Sequence, residues 1–500
     1  MVTGQDYQFI RELRKESAAE RSERHELIAK RRAGPMIIVH RGASSIAPEN
    51  TLEAYAAAMD YGADGCEVDL RLTHDGVIVM FHDDMLDHLT ESFGDIGELT
   101  FHETQRLRHR LLYGRKLRSM APPTFVALLE VARQRAMLLH LDVKNPGMDR
   151  EVARLLNEAD VWDHIVAVNS ATAPLLAKNP KLKPLRYRTG LYENRRDVDP
   201  EAVRAFLPAP GEMIILDDPR VAALALHRSP FRPVALDGGL CEPMGFERAT
   251  PAPVYEGTNF NLFACTREWG KLREGEALVI LTRDFPDGSQ PAAAPAQERK
   301  RTEVIVQRAW AAQNVMPSWK SSRLIMALRH QVRNRSLHAN WRFHGLDGAA
   351  AVRALGRLKD SESAGPLAEM FELIDPSLEK VNSMASYGDY PLSWQDAVFK
   401  MYIIPVLGEL RCSKSKEFLT HYISLTDSRA RAWAPVQWEE ATKALLGQKL
   451  TNDELHMLLQ NSNSAIRGTA ILELIDHPGR AGTRALKEKA LWALQLPKAN

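Results

Sequence analysis

Met36-Ile37-Ile38-Val39-His40-Arg41-Gly42 is a short, unbroken apolar run that ends on a histidine, an arginine and a glycine. Four apolar residues without polar alternation predict a strand buried on both faces, as in a parallel sheet. Gly34-Pro35 punctuates the chain just before it. The same construction recurs downstream: Gly65 to Leu70 carries Glu67-Val68-Asp69, and residues 77–81 run into His82-Asp83 after the turn signal Asp75-Gly76. Leu138 to Val143 leads to Asp142-Val143-Lys144, and Ile165 to Val168, Leu185 to Leu191, Met213 to Leu216 and Leu278 to Leu281 continue the series to eight candidate strands. Helix-length segments separate most of them. One opens near Asn50-Thr51, places Leu52, Tyr55, Ala56 and Met59 at helical spacing and closes at Gly62. Alternating strands and helices predict an α/β fold with a parallel sheet, and eight strands over residues 35–287 predict a closed (β/α)₈ TIM barrel. Val234 to Leu236 competes for the seventh or eighth place, and Gly238 to Trp269 has no clear periodicity.

Residues at the C-terminal ends of barrel strands converge on one face, so groups distant in sequence share a site. Here those ends carry His40-Arg41, Glu67-x-Asp69, His82-Asp83 and Asp142-x-Lys144. Positions i and i+2 of a strand point the same way, so Glu67 and Asp69 present two carboxylates together, and Asp142 and Lys144 an acid and an ammonium. Taken alone, Glu67 to Arg71 reads as a half-exposed strand with solvated charges. Grouped with Asp142, three buried acids repel one another and make sense mainly around a cation. Oxygen donors with room for water suit one divalent cation of the hard kind, Mg²⁺ or Ca²⁺.

Outside residues 35–287 the pattern changes. Residues 1–34 hold a polar leader helix, read over Phe9 to Lys30, with Ile10, Leu13, Leu27 and Ile28 as its apolar positions. Proline and alanine accumulate over 286–299, and a linker is assigned to 288–303. From 304 to 500 the apolar residues keep helical spacing, which predicts an all-α domain. Gly348 to Leu373, two short helices around Lys359-Asp360-Ser361, resembles a HEAT-type repeat, and Ile466 to Leu494 is similar. Regions 394–425 and 433–460 fill the interval with further helix pairs, and an ordinary helical bundle is the alternative.

His40-Arg41-Gly42, Ala47-Pro48-Glu49-Asn50-Thr51, Gly62 to Asp69, Thr73-His74-Asp75-Gly76 and His82-Asp83 resemble, in order, the opening blocks of the glycerophosphodiester phosphodiesterase family. Pro122-Pro123-Thr124-Phe125 and Leu281 to Pro286 look like later blocks of the same family, and the resemblance covers about residues 36–287. It implies a (β/α)₈ barrel in which Glu67, Asp69 and Asp142 hold a divalent cation. His40 and His82 would perform acid/base chemistry, and Arg41 and Lys144 would bind phosphate. Glu49 is placed with the substrate-binding groups as a support for Arg41, whereas Asn50 is read as capping and ordering its loop. The implied reaction is hydrolysis of glycerophosphodiesters to sn-glycerol 3-phosphate and an alcohol.

Two features depart from the family. Asp142 stands where the family usually has glutamate, and an aromatic-rich strand late in the barrel is missing. Related phospholipases D also carry Asp-x-Lys, so a lysophospholipase D or sphingomyelinase D-like activity on lysophospholipid head groups is the alternative. A catalytically idle barrel acting as a scaffold is the third reading.

Lysine and arginine number 65 against 64 aspartate and glutamate. That balance predicts no nucleic-acid partner and makes the grip on any anionic substrate local. The four cysteines form no CxxC pair, which argues against structural zinc. With no apolar run of about 18 residues the chain reads as soluble, without a transmembrane segment, and its compartment stays open between cytoplasm and export. The helical half is expected to bind a protein partner, pack on the barrel, or mediate self-association.

Overall fold

The computed structural model describes residues 13–84, 86, 89–90, 95–107, 109, 121–188, 200–228, 272–284, 295–319, 321–336, 343–373, 392–424 and 434–476. The leader helix α1 is Ala18–Ala33, opened by a capping box between Ser17 and Glu20 and closed before Gly34. It starts later than the spacing predicts, and positions 9–12 lie outside the described residues. There follow β1 (Met36–Val39), α2 (Leu52–Asp60), β2 (Gly65–Leu72), β3 (Ile78–Met80), α3 (Phe101–Thr104), α4 (Phe125–Arg135), β4 (Leu138–Val143), α5 (Asp149–Ala159), β5 (Ile165–Val168), α6 (Pro174–Ala177), β6 (Arg186–Tyr187), α7 (Pro200–Ala205), β7 (Glu212–Leu216) and α8 (Arg220–Ala225).

The strands lie in the order β5-β4-β2-β1-β7-β6, each pair parallel. A backbone hydrogen bond of 3.0 Å from Leu185 N to Val166 O carries the sheet from β5 round to the segment entering β6. The result is a barrel-like ring of six parallel strands among the described residues. It differs from the predicted eight in two places. Residues 78–80 form β3, which turns back antiparallel on β2 through Gly76 at φ 81°, a left-handed conformation that only glycine adopts without cost. Leu278 to Leu281 is the end of a helix, α9 (Glu274–Leu281), with Glu274 and Glu276 in its first turn. Four apolar residues in a row do not discriminate a strand from a buried helix turn. The rival segment 234–236 and the stretch 238–269 lie outside the described residues.

Alternation sorts the two sides of the ring. Met36, Ile38, Leu138, Val166, Met213 and Ile215 meet inside it, where Ile28 of α1 joins them and seals the end from which the strands start. Ile37, Val39, Val68, Leu139, Leu141 and Leu216 face outward onto α2, α4, α5 and α8. Gly65 permits the close approach of β2 and β4, since a Cβ there would stand 2.1 Å from the Leu138 carbonyl oxygen.

The second half is helical: α10 (Pro295–Gln313), α11 (Ser322–Arg333), α12 (Leu346–Leu358), α13 (Ala364–Leu373), α14 (Leu392–Leu410), α15 (Ser413–Ser424), α16 (Ala434–Leu446), α17 (Asn452–Leu459) and α18 (Ser464–Asp476). The pair predicted over 348–373 is present as α12 and α13, with the turn made by left-handed Lys359. Positions 295–303 of the expected linker fall inside α10. Of the three roles expected for this half, packing on the barrel is visible. Val79, Phe81, Leu99 and Phe101 share one apolar cluster with Ile305, Val306 and Leu328, while Ile471 and Leu472 of α18 join the outer core of the barrel. Among the described residues no helix is long and apolar enough to cross a membrane.

Candidate active site

His40 is the first residue after β1, and the chain then turns sharply through Arg41 at φ 56° and Gly42 at φ 79°. A side chain at 42 would meet Ala54 at 2.8 Å, so the turn packs directly on α2. The turn delivers the Arg41 amide to Glu67, donating 3.1 Å to both its backbone oxygen and its Oε2. The Arg41 guanidinium donates 3.0 Å to Glu49 Oε1 and lies 3.4 Å from Asp69 Oδ2.

Glu67 and Asp69 project from β2, and register places them opposite His140 and Asp142 of β4. One oxygen from each of Glu67, Asp69 and Asp142 falls within 4.8 Å of the others, so the three expected acids come together. Asn50 clamps Asp69: its amide donates 2.7 Å to Oδ2, while its carbonyl accepts from Asp69 N at 3.2 Å and from Tyr55 at 2.7 Å. The helix cap itself is Thr51, so Asn50 orders the acid cluster instead of the helix start. Lys144 bridges the two aspartates, 2.8 Å from Asp69 Oδ1 and 2.6 Å from Asp142 Oδ2. Asn169, just past β5, donates 3.0 Å to Asp142 Oδ1.

Both histidines are anchored through Nδ1. His40 donates 2.8 Å to Asp217 Oδ1, and its Nε2 lies 3.9 Å from Glu67 Oε2. His82 donates 2.6 Å to Asp83 Oδ1, while its carbonyl accepts from Arg71 at 2.8 Å and 2.6 Å. Because a carboxylate only accepts, the Nδ1–H form is the one that these contacts favour.

Electrostatics follow from this crowding. Burial, then the charges of Asp69 and Asp142, push the Glu67 carboxyl well above the usual range. Burial presses Asp69 the same way, but Lys144, His82 and Arg41 outweigh it and hold that carboxyl low. Burial, reinforced by Arg41, lowers His82 to about 3. Buried carboxylates in mutual repulsion, all oxygen donors, are the set that fits a hard divalent cation.

Asp217 and Asn169 were missed by sequence reasoning. Asp217 is the first residue past Leu216, so the rule that selected His40 after Val39 also reaches it.

The model of the glycerophosphoryl diester phosphodiesterase family matches residues 40–178, the segment that carries most of these groups. A glycerophosphodiester phosphodiesterase from Caldanaerobacter subterraneus is 30% identical over 168 residues, covering 32% of this chain and 69% of that protein. The chain belongs to the glycerophosphodiester phosphodiesterase family. A member from Bacillus altitudinis is also 30% identical, over 30% of this chain and 62% of its own length. Glycerophosphodiester phosphodiesterase 1 of the rat is 45% identical over 78 residues, 15% of this chain and 24% of that one. The chain thus spans from a quarter to about two thirds of the length of these relatives. A solved Oleispira antarctica phosphodiesterase in complex with the product sn-glycerol-3-phosphate aligns at 22% identity and a TM-score of 0.30, over 39% of this chain and 97% of that one.

Proposed function

We propose that the chain hydrolyses glycerophosphodiesters to sn-glycerol 3-phosphate and an alcohol, using His40 and His82 for acid/base chemistry beside one divalent cation, Mg²⁺ or Ca²⁺. The observation that carries the reading is the convergence of Glu67, Asp69 and Asp142 between two imidazoles, each fixed at Nδ1 by its own carboxylate. Glu67, Asp69 and Asp142 would hold the cation, which when bound supplies Lewis-acid polarisation of the phosphodiester and offsets charge on its oxygens.

Within that site, Arg41 and Lys144 face the phosphate, and Glu49 steadies the Arg41 guanidinium. Nε2 of His40 removes a proton from the attacking hydroxyl, whether of water or of the substrate's glycerol. Nε2 of His82 returns a proton to the leaving alkoxide, which requires the imidazolium, since Asp83 already holds the Nδ1 proton and burial keeps the free ring neutral. The bound phosphate anion favours that charged form, and the two roles are interchangeable by geometry. Asp217 and Asp83 keep the rings oriented. Residues 35–287 are read as the catalytic barrel, 1–34 as its leader and 304–500 as a HEAT-like stack, a reading that the succession of helix pairs supports.

A second reading, lysophospholipase D or sphingomyelinase D-like activity, draws on Asp142, whose shorter side chain sits where the family usually has glutamate. One assay separates the two: release of the alcohol from glycerophosphocholine, lysophosphatidylcholine and bis(p-nitrophenyl) phosphate, with Mg²⁺, Ca²⁺ or chelator. Turnover of glycerophosphocholine that chelator abolishes supports the first reading. Preference for lysophosphatidylcholine supports the second, and chelator-insensitive turnover removes the cation from both.

A further inference from the structure

The opposite end of the barrel has its own groove, of about 580 Å³, between α1, the turn Trp162–His164 and the segment that carries Lys181 and Lys183. All three precede the strands they serve, β1, β5 and β6, so the groove opens at the end remote from the acid cluster. Its size falls within the roughly 300–1,000 Å³ of small-molecule sites. Ala29 of α1 and Trp162 give it a small apolar floor, beneath which Ile28 is fully buried.

The charges around that floor are unevenly compensated. Asp160 is engaged by Arg21 at 2.6 Å, by His25 at 2.9 Å and by Arg24 at 3.5 Å, and Asp163 by His25 at 2.6 Å. Lys181 and Lys183 have no such partners among the described residues, and Arg32 has only Asp163, beyond ion-pair distance. Arg32 donates to the carbonyls of Asp163, Ile165 and Lys183, and burial holds its guanidinium below the ordinary value despite Asp163 nearby. Lys181 donates 2.6 Å to the neutral amide oxygen of Asn157, and Lys183 is exposed with no carboxylate partner among the described residues. Asp160 is therefore spent on Arg21 and Arg24 and Asp163 partly offsets Arg32, while Lys181 and Lys183 border an apolar floor with no carboxylate partner among the described residues.

We propose that this groove binds an anionic amphiphile, a single phosphate or carboxylate headgroup on a short alkyl chain. The headgroup lies against Lys181, Lys183 and Arg32, and the chain runs over Trp162 and Ala29. Arg32, its guanidinium engaged by three backbone carbonyls, supplies a fixed positive charge, and the two exposed lysines supply charge and mobile donors. Because α1 forms one wall, occupancy also holds the leader helix on the barrel and stabilises the folded chain by mass action.

The test is calorimetric titration of the full chain with n-octyl phosphate, octanoate, inorganic phosphate and octanol. Saturable one-to-one binding of either octyl anion, at least about tenfold tighter than inorganic phosphate or octanol, supports the proposal and identifies the headgroup. Failure of both octyl anions to bind, or equal affinity for octanol, overturns it. Lys181→Glu/Lys183→Glu, two exposed changes, is expected to weaken binding at least about tenfold, and the neutral Lys183→Gln to have an intermediate effect. Lys144→Ala, at the other end of the barrel, is expected to leave it unchanged. Binding lost with Lys144→Ala but kept in the double variant would assign the ligand to the active site and sink the proposal.

Discussion

An imidazole transfers a proton cleanly through one nitrogen when the other is held, and at His40 Asp217 does the holding, 2.8 Å from Nδ1. Asp217→Ala is expected to lower kcat by about 10- to 100-fold with little change in KM, and Asp217→Glu to recover part of it. Equal losses in kcat and cation affinity would show that Asp217 acts on the acid cluster instead. His82→Ala removes a ring whose Nδ1 is held by Asp83, so turnover is expected to fall by about 10²- to 10⁴-fold while cation affinity, read by titration calorimetry, stays near wild type. Far from the chemistry, burial holds His164 at about 4, with its Nδ1 donating 2.8 Å to the Met137 carbonyl and Arg24 3.1 Å from Nε2. A histidine whose pKa is lowered on folding stabilises the fold fully above its unfolded value near 6.5. That stability is lost as pH falls from about 6.5 to about 4, and amounts to roughly 3 kcal/mol. His164→Gln is expected to flatten the fall of melting temperature across that window, and an unchanged profile would shift the cause to other groups.

Between β2 and β4 the backbone of Gly65 is so close to Leu138 that even a methyl group has no room. Gly65→Ala is therefore expected to cost about 3 kcal/mol or more in denaturant unfolding, because the strand pair that aligns Glu67 and Asp69 with Asp142 must separate. A loss below 1 kcal/mol (roughly, by the same scale) would mean that the sheet yields easily. Elements of this kind were legible in the sequence where two signals coincided. β1, β2 and β4 announce themselves by an apolar run plus a charged end, and α2 by its cap and spacing. Legibility failed where one signal stood alone. Leu278 to Leu281 is apolar enough for a strand, yet Glu274 and Glu276 lead it as a helix start. Residues 77–81 are apolar because Val77, Val79 and Phe81 join the cluster of Ile305 and its neighbours in the helical half while Ile78 and Met80 join the outer core of the barrel, a two-sided burial that local sequence does not reveal. Asn50 reads as a cap because asparagine commonly is one, whereas its actual partner, Asp69, is 19 positions away and brought near only by the fold.

The two halves of the chain share buried surface, and this sets how far either can be studied alone. Val79, Phe81, Leu99, Phe101 and Leu107 are at most 3% exposed and share their apolar cluster with residues of α10 to α12. On the other flank, Ile471 and Leu472 of α18 close over the outer core of the barrel. Burial of a large apolar side chain contributes about 1.5–3 kcal/mol, so uncovering five such residues removes a sum comparable to the whole stability of a typical domain, about 5–15 kcal/mol. Truncation after residue 284 is thus expected to yield a barrel that binds a hydrophobic dye, self-associates in size-exclusion chromatography and melts well below the full chain, although every group of the acid cluster is still present. The loss of activity should then follow the loss of folded protein. A truncated chain that stays monomeric, melts like the parent and turns over substrate at the parental rate would show that the helical half covers the barrel without supporting it.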